Sequence, residues 1–443
     1  MHPILFFVYH FFKALIEVTR RVFYAKITVV NKERGRFKEP CILVSNHPST
    51  LLDPLNAAEE IQTEVHFLAN ASLFKNLVAA WFFKKLFCIP IERYEDTGGK
   101  PLNNKASFEK AVQHLEHGGC LYIAPEGTSY IHRRLRKLKT GSARIALAAE
   151  SQANFQLGLV LLPVGLNYSD PTQFRSHLLT ILGEPIRVAD FEADWKADEA
   201  AAVRKLTDHL AEKLSNLLLD TVDDEEDRLL CYLEEMQQNE NRLPSYPHFL
   251  RSKKTLAAIQ GWSKEVPSML ATFQTNVFSY FQTLEKLGVS DLAVYEQLKV
   301  KKLNGSFLAL IGTFPFFLLG YLTHFLPAYS TGKLSKILNK DIHWAPTYKY
   351  VIGVVLYPLM LGFQVWVAGK FGVLPGTGIS IKWLYALSII PAGLVAEWWL
   401  KTWKLEREKR RAARCFSTEP ESWKKIGAVR TSILEILESA PES

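Results

Sequence analysis

Several sequence patterns that mark common enzyme classes are missing from this chain of 443 residues. It has no Gly-x-Ser-x-Gly nucleophile elbow, which argues against a covalent serine mechanism. It also lacks a His-Glu-x-x-His zinc motif, a Cys-x-x-Cys pair and a glycine-rich phosphate loop. Neither a metal nor a bound cofactor is therefore predicted.

Cysteine is scarce, and its five occurrences are scattered: Cys41, Cys88, Cys120, Cys231 and Cys415. This spacing is typical of neither a disulfide framework nor a metal site. It favours a domain in a reducing compartment, and we expect the catalytic part of the chain to face the cytosol.

The overall charge is unbalanced, with a formal net charge of +8. Such an excess of positive charge indicates an anionic partner, for which a phospholipid surface, coenzyme A phosphates and nucleic acid are the candidates. Because no nucleic-acid motif accompanies the charge, we predict membrane phospholipid as the partner and no nucleic acid. The hydrophobic content of 48% allows either a large core or membrane segments.

His47 is the first candidate for chemistry. It follows the apolar run Cys41–Ser45, so it is predicted to lie where a strand enters a loop. A histidine in such a place can take a proton from an acceptor hydroxyl, because histidine titrates near neutral pH. Asp53, a few residues on, could select the tautomer of the ring and stabilise the imidazolium.

Three further blocks follow in order: Ile89-Pro90-Ile91-Glu92-Arg93, Ala124-Pro125-Glu126-Gly127-Thr128-Ser129 and Leu162-Pro163-Val164-Gly165-Leu166-Asn167. With the His47 block, they resemble the glycerolipid acyltransferase family, which includes the lysophosphatidate and glycerol-3-phosphate acyltransferases. The resemblance covers roughly residues 31–188, and four ordered blocks are more specific than any one of them. It implies transfer of a fatty acyl group from a coenzyme A or acyl carrier protein thioester to a glycerophosphate hydroxyl.

The resemblance also implies roles for single residues. They are the general base His47, its orienter Asp53, the phosphate contact Arg93, and the acceptor-binding residues Glu126, Gly127 and Thr128. Lys139 matches a family lysine and precedes a predicted helix, Ser142–Ala149. A lysine at a helix N-terminus suits a phosphate, and a solvated lysine is the alternative.

Two features depart from the family pattern. Five residues separate His47 from Asp53, where the usual spacing is four, and some members of the glycerol-3-phosphate branch look similar to the longer form. The third block usually continues Glu-Gly-Thr-Arg, whereas this chain has Ser129 in place of the arginine. Candidates to supply the missing positive charge are Arg133, Arg134 and Arg136, and the sequence does not choose between them.

Strand-like runs alternate with helical stretches in the first half of the chain. The predicted strands are Ile27–Val30, Cys41–Ser45, Val65–Leu68, Ile89–Ile91, Leu121–Ala124, Leu159–Val164 and Leu178–Leu182. The alternation predicts an α/β fold, a layered acyltransferase domain with a mixed sheet and flanking helices. Its catalytic groups are expected at strand ends. A helical spacer and C-terminal transmembrane helices follow.

We expect five segments. They are an interfacial helix (1–26), the catalytic domain (27–198), a helical spacer (199–302), a membrane region (303–403) and a basic cytosolic tail (404–443). The first segment mixes aromatic residues with basic ones, which is typical of a helix lying at a membrane interface. A helix packed on the protein's own core is the alternative.

Three apolar stretches predict an integral membrane protein: Ser306–Leu326, Tyr350–Gly369 and Trp383–Leu400. Basic residues flank the first stretch on both sides and also follow the third, whereas the link 371–380 is uncharged. Three full crossings cannot satisfy the positive-inside rule. Our hypothesis is that the first stretch, broken by Pro315, is re-entrant or lies in the interface, and that the other two form a hairpin.

The expected function is acylation of 1-acylglycerol 3-phosphate, because Glu126-Gly127-Thr128 looks closer to that branch of the family. Glycerol 3-phosphate is the alternative favoured by the longer His47–Asp53 spacing, and another lipid acceptor remains open. From a different class, a membrane lipid-binding module without catalysis is also possible.

Overall fold

The computed structural model describes residues 3–74, 80–81, 87–92, 103–299, 305–339, 344–374, 377 and 380–439. The chain divides into two compact units. The first comprises Met1–Val222 and Asp341–Thr347, and the second comprises Asp223–Lys340 and Tyr348–Ser443. The five segment boundaries expected from the sequence stay predictions.

The first unit is built on a sheet of eight strands. They are β1 (Lys26–Val30), β2 (Cys41–Ser45), β3 (Val65–Asn70), β4 (Cys88–Ile91), β5 (Cys120–Ile123), β6 (Val160–Tyr168), β7 (His177–Leu182) and β8 (Ile186–Arg187). Their order is β1-β7-β6-β2-β5-β3-β4, and β8 pairs with β6. The pairs of β6 with β7 and with β8 are antiparallel, and the others are parallel.

Helices cover both faces of this sheet. They are α1 (Pro3–Phe23), α2 (Leu52–Glu59), α3 (Lys105–Glu116), α4 (Gly141–Gln152), α5 (Glu192–Ala197) and α6 (Glu199–Ser215). The predicted α/β fold with a mixed sheet and flanking helices is confirmed. The short strand β8 is not among the strands predicted from the sequence, because two residues are too few to show an alternating pattern.

The main core of this unit lies on one face of the sheet. Ile42 and Val44 of β2 point into it, because alternate residues of a strand face the same side. Helices α3, α4 and α6 supply the opposing apolar side chains, including Leu115, Leu147 and Leu206. All five residues of β2 are buried, which explains its continuous apolar sequence.

Helix α1 has two different faces. One face packs on its own unit, where the Tyr9 hydroxyl accepts a hydrogen bond from the backbone N–H of Val65 at 3.0 Å. On the same side, the buried Arg20 guanidinium pairs with the buried carboxylate of Glu60. The other face presents apolar side chains at three- and four-residue spacing, among them Phe7 (71% exposed) and Val18 (60% exposed). The helix is therefore packed on the protein and also carries an unburied apolar stripe.

The second unit is helical in the residues that are described. Its helices are α7 (Asp224–Glu240), α8 (Ser245–Glu265), α9 (Pro267–Leu287), α10 (Asp291–Lys299), α11 (Gly305–Leu338), α12 (Ala345–Ala368, of which the first three residues belong to the first unit), α13 (Ile381–Thr418) and α14 (Pro420–Glu438). A buried ion pair joins α14 to α10: Arg430 donates to Asp291 from Nε at 2.9 Å and from a terminal nitrogen at 3.2 Å. Tyr280 of α9 donates to the same carboxylate at 2.5 Å.

Among the described residues, three helices are long and apolar enough to cross a membrane: Phe307–Leu338, Ala345–Phe371 and Ile381–Thr418. Their mean hydropathies are 1.6, 2.0 and 1.3. Helix α11 continues through Pro315, so the predicted break there is wrong. A proline removes one backbone donor, and the neighbouring turns of a long apolar helix can keep it intact.

Small and polar residues hold these apolar helices together. A side chain at Gly320 of α11 would overlap the carbonyl oxygen of Ala392 in α13, so the two backbones come close at this point. Tyr385 of α13 donates to Gln364 of α12 at 2.6 Å, and Gln364 donates to the carbonyl of Thr323 in α11 at 3.1 Å. Interhelical hydrogen bonds of this kind are typical of helix packing in lipid.

Candidate active site

His47 and Asp53 come together although five residues separate them. His47 Nδ1 lies 3.0 Å from Asp53 Oδ2, at the end of β2 and in the first turn of α2 respectively. The Asp53 side chain is fully buried, whereas 17% of the His47 side chain is exposed. With Nδ1 facing the carboxylate, Nε2 on the opposite side of the ring is the nitrogen left to take a proton from an acceptor.

Sheet topology explains why the sequence blocks meet. Strands β5 and β6 flank β2 and run parallel to it, with Val44 opposite Ile123 on one side and Ser45 opposite Val164 on the other. The segments that follow parallel strands leave the sheet at the same edge. The first and third blocks therefore lie side by side, with the end of β6 next to them.

The backbone of His47 is held by the third block. Its N–H donates to Glu126 Oε1 at 2.8 Å, and its carbonyl accepts from Ser129 Oγ at 2.8 Å and from the N–H of Tyr130 at 3.0 Å. These contacts from the loop after β5 fix the backbone of His47 and so limit where its ring can lie. The sequence did not suggest this role for Ser129.

Glu126 is a buried carboxylate whose two oxygens both accept backbone hydrogen bonds. Besides the N–H of His47, it receives the N–H of Arg136 at 3.2 Å. Burial raises its pKa to about 7, although the two N–H donors act in the opposite direction. Its predicted contact with the acceptor stays a prediction, and in this structure it joins two loops of the site.

Thr50, one of the five residues between His47 and Asp53, has an unusual backbone conformation. Its φ of 46° lies in the left-handed region, which a β-branched residue rarely adopts. The Thr50 N–H donates to Ser129 Oγ at 3.0 Å. The Ser129 hydroxyl thus bonds to both His47 and Thr50. The serine that stands in place of the family's arginine therefore contacts the turn that contains the longer His47–Asp53 spacing.

The other residues predicted in the third block surround Glu126. Gly127 has a φ of 75°, and a side chain there would lie 3.4 Å from Cγ of Lys139. The N–H of Lys139 donates to the carbonyl of Pro125 at 2.7 Å, so the lysine stem lies beside this turn. Thr128 is half-buried next to Gly127. Arg93 lies outside the described residues.

The three candidate arginines differ in their surroundings. Arg134 Nε donates to the carbonyl of Thr221 at 3.2 Å, and the carbonyl of Arg133 accepts from both the N–H and the hydroxyl of Thr221 at 2.8 Å. Arg136 has an exposed side chain, with its guanidinium carbon 5.6 Å from the centroid of the Tyr130 ring. Arg136 is thus attached to Glu126 by its backbone while its charge faces solvent.

Asp53 has two further partners that the sequence motifs did not indicate. Its Oδ2 accepts the N–H of Ser49 at 2.6 Å, and its Oδ1 accepts the Tyr168 hydroxyl at 2.7 Å. Tyr168 directly follows the fourth block, and this adjacency is the only signal in the sequence that could have pointed to it. Asn46, next to His47, exchanges two hydrogen bonds with the backbone of Leu166, at 2.9 and 2.8 Å.

Residues 26–167, which contain this arrangement, match the family model described as Acyltransferase. We call this part of the chain the acyltransferase domain, after the model that it matches. The match includes all four sequence blocks and ends one residue before Tyr168.

Several curated proteins are similar in sequence to part of this chain. Glycerol-3-phosphate O-acyltransferase 2 of Saccharomyces cerevisiae is 28% identical over 208 residues, 46% of this chain and 27% of the yeast protein. The yeast glycerol-3-phosphate O-acyltransferase 1 is 30% identical over 25% of this chain and 15% of its own length. The N-acylphosphatidylethanolamine synthase of Arabidopsis thaliana is 30% identical over 33% of this chain and 56% of its own length. The chain thus spans less than a third of the two yeast relatives.

A solved structure is also similar to part of this chain. It is the 1-acyl-sn-glycerophosphate acyltransferase PlsC from Thermotoga maritima, with a TM-score of 0.32 and 19% identity. The similarity covers 46% of this chain and 79% of the PlsC chain.

Proposed function

We propose that this protein is a membrane-anchored acyltransferase that moves a fatty acyl group from a thioester donor to a hydroxyl of a glycerophosphate. The observation that carries the proposal is the 3.0 Å approach of His47 Nδ1 to the buried Asp53 carboxylate within an acyltransferase-family domain. A carboxylate in this place favours the tautomer with the proton on Nδ1 and stabilises the imidazolium that forms during the reaction.

The proposed reaction needs no covalent enzyme intermediate. His47 Nε2 removes the proton from the acceptor hydroxyl as its oxygen attacks the thioester carbonyl carbon. The tetrahedral intermediate then collapses, the carbon–sulfur bond breaks, and the leaving thiolate takes the proton from the imidazolium. The products are the acylated glycerophosphate and the free thiol of coenzyme A or acyl carrier protein. Because a thioester is already activated, positioning and proton transfer supply much of the catalysis.

The acceptor's phosphate is expected to meet basic residues around the third block. Arg93 stays our first prediction, and Arg136 is the candidate for the charge that Ser129 lacks. Of the three arginines considered, Arg136 combines an exposed guanidinium with a backbone bond to Glu126, which itself bonds to His47. Lys139, beside Gly127 and just before α4, could add a second positive charge near a helix N-terminus.

Two acceptors carry the required phosphate. One is 1-acylglycerol 3-phosphate, which the Glu126-Gly127-Thr128 block favours, and the other is glycerol 3-phosphate, which the names of the yeast relatives and the longer His47–Asp53 spacing favour. They differ in size and in membrane residence, and they share the headgroup that the basic residues would bind. The proposal is acylation of a glycerophosphate that carries this headgroup, and acyl-transfer assays with each acceptor distinguish the two.

Membrane attachment is supported in both units. Helices α11, α12 and α13 can each cross a bilayer by length and composition. In the first unit, the exposed apolar stripe of α1 suits the interface between headgroups and acyl chains. We propose that the catalytic domain lies on the cytosolic side, where acyl thioesters are supplied and thiols stay reduced.

The test is acyl transfer by the purified full chain in lipid nanodiscs, with labelled acyl-coenzyme A or acyl carrier protein and each acceptor in turn. His47→Ala should lower turnover by about a hundredfold or more, because it removes the general base. His117→Ala, which removes an exposed histidine at the end of α3, is the control and should leave turnover unchanged. Wild-type protein that transfers no acyl group to either acceptor would instead favour the lipid-binding module.

A further inference from the structure

A buried phenol contacts the carboxylate that faces His47. Strand β6 ends at Tyr168, whose hydroxyl donates to Asp53 Oδ1 at 2.7 Å. The hydroxyl oxygen of Tyr168 in turn accepts a hydrogen bond from Asn56 Nδ2 at 3.0 Å. Asp53 and Asn56 lie one turn apart on α2, so the helix presents both side chains to the end of the strand.

We propose that Tyr168 is a positioning residue, which keeps the Asp53 carboxylate turned so that Oδ2 faces His47. This inference rests on the proposed role of the His47–Asp53 pair. It adds a residue that lies outside the four sequence blocks and outside the part of the chain that matches the family.

A buried carboxylate needs hydrogen-bond donors from the protein. Asp53 is 0% exposed, so hydrogen bonds from the protein must replace those that water would make. Oδ2 receives the N–H of Ser49 and faces His47 Nδ1, and among the described contacts Oδ1 receives the Tyr168 hydroxyl alone. Without that hydroxyl, Oδ1 would be a charged oxygen with no donor, which is costly in a protein interior. Rotation of the carboxylate would relieve this cost and would take Oδ2 away from His47.

The direction of each hydrogen bond is determined by Asn56. Its amide nitrogen donates to two phenol oxygens, those of Tyr24 and Tyr168, both at 3.0 Å. Because the amide hydrogen occupies one side of the Tyr168 oxygen, the phenol's own hydrogen is directed to Asp53. Burial raises the pKa of Tyr168 well above its ordinary value, so the phenol keeps this hydrogen at neutral pH.

Other titratable groups also face the pair. Glu126, on the loop after β5, bonds to the His47 backbone. The Tyr122 hydroxyl of β5 lies 2.8 Å from Ser45 Oγ, and burial together with the negative charge of Asp53 raises its pKa, so this phenol is neutral and bonds to Ser45. Among the described residues, Tyr168 is therefore the phenol that touches the carboxylate directly.

The test compares two tyrosine-to-phenylalanine variants of the full chain in nanodiscs. Tyr168→Phe removes the donor to Asp53, and Tyr280→Phe removes the same kind of donor from Asp291 in the second unit. Both lose a buried phenol–carboxylate bond, so both should lose thermal stability. Only Tyr168→Phe should lower kcat, by about tenfold, the value of roughly one hydrogen bond to a charged group. The KM values for acceptor and donor should stay within about twofold, because Tyr168 is buried and is proposed to act through Asp53.

A second readout does not depend on turnover. Diethyl pyrocarbonate modifies neutral imidazole, and peptide mass spectrometry measures its rate at His47 across pH. In Tyr168→Phe, Asp53 should stabilise the His47 imidazolium less. The midpoint of the modification profile should therefore move to lower pH by roughly half a unit or more. Tyr280→Phe should follow the wild type. Should the wild type transfer no acyl group, the proposed function fails while this measurement still tests the positioning.

The inference would be overturned by a Tyr168→Phe profile that overlays the wild type, or by equal losses of kcat in the two variants. If Tyr168→Phe does not fold, Asn56→Ala replaces it, because loss of the amide frees the Tyr168 hydroxyl to turn away from Asp53. The His47 profile should then move in the same direction by a smaller amount, and an unmoved profile would contradict the proposal.

Discussion

Glu126 makes the stability of the first unit depend on pH in a direction that is unusual for a carboxylate. Its pKa is raised from 4.5 to about 7, mainly by burial. Between these values the folded chain keeps the proton and the unfolded chain releases it. Rising pH therefore favours unfolding across this window, and the stability of the unit should fall from about pH 4.5 to about pH 7 and then level off.

The size of the effect follows from the width of the window. Each pH unit is worth about 1.4 kcal/mol of differential stability, so the rise from 4.5 to about 7 corresponds to about 3 kcal/mol. In a unit of this size, that free energy changes the melting temperature by roughly 6–12 °C. Other groups also titrate in this range, so the informative quantity is the difference between the wild type and Glu126→Gln.

Glu126→Gln keeps one carbonyl oxygen for the His47 N–H and places an amide where the second carboxylate oxygen was. At pH 4.5 the variant should be less stable than the wild type by about 1–3 kcal/mol, because one backbone donor loses its acceptor. As the pH rises to 8, the wild type should lose about 3 kcal/mol that the variant does not lose. The difference in stability between the wild type and Glu126→Gln should therefore shrink to zero or change sign.

The assay is differential scanning fluorimetry of both proteins in the same detergent from pH 4.5 to 8, with the melting of the first unit followed separately. Unfolding of a two-unit chain is not two-state, so the melting of this unit alone is compared. If the two curves run parallel over the whole range, the carboxylate does not titrate in the window, and our account of its burial is refuted.

Three further changes test other parts of the structure. Arg93→Ala should raise the acceptor KM more than it lowers kcat, with Arg93→Lys restoring activity only in part, and a raised donor KM instead would reassign the arginine to the donor side. Ser129→Ala should lower kcat by about three- to tenfold, because the His47 carbonyl and the Thr50 N–H lose their shared partner, whereas Ser129→Thr should retain activity. Steady-state kinetics measure both variants, and an unchanged kcat in Ser129→Ala would contradict this role. Arg430→Met should destabilise the second unit by about 3–5 kcal/mol because Asp291 would stay buried without its cation, and a melting temperature equal to the wild type would rule this out.

The membrane region shows where local sequence rules reach their limit. The apolar composition predicted the three long helices, because each contains a long apolar stretch with few charges, and this is a property of the sequence alone. Pro315 suggested a break, yet α11 continues through it, because packing and neighbouring turns decide whether a helix tolerates a proline. The orientation of these helices in the bilayer stays a prediction.

In the acyltransferase domain, the sequence by itself determined the strands and the placement of His47 after β2. Short apolar runs such as Cys41–Ser45 are typical of an interior strand, and a polar block directly after such a strand lies at the edge of the sheet. The tertiary structure decided which groups hold His47 and Asp53. Ser129 and Tyr168 reach them across 82 and 115 residues of chain. Hydrogen bonds over such separations leave no periodic pattern in the sequence, because they depend on which strands become neighbours in the sheet.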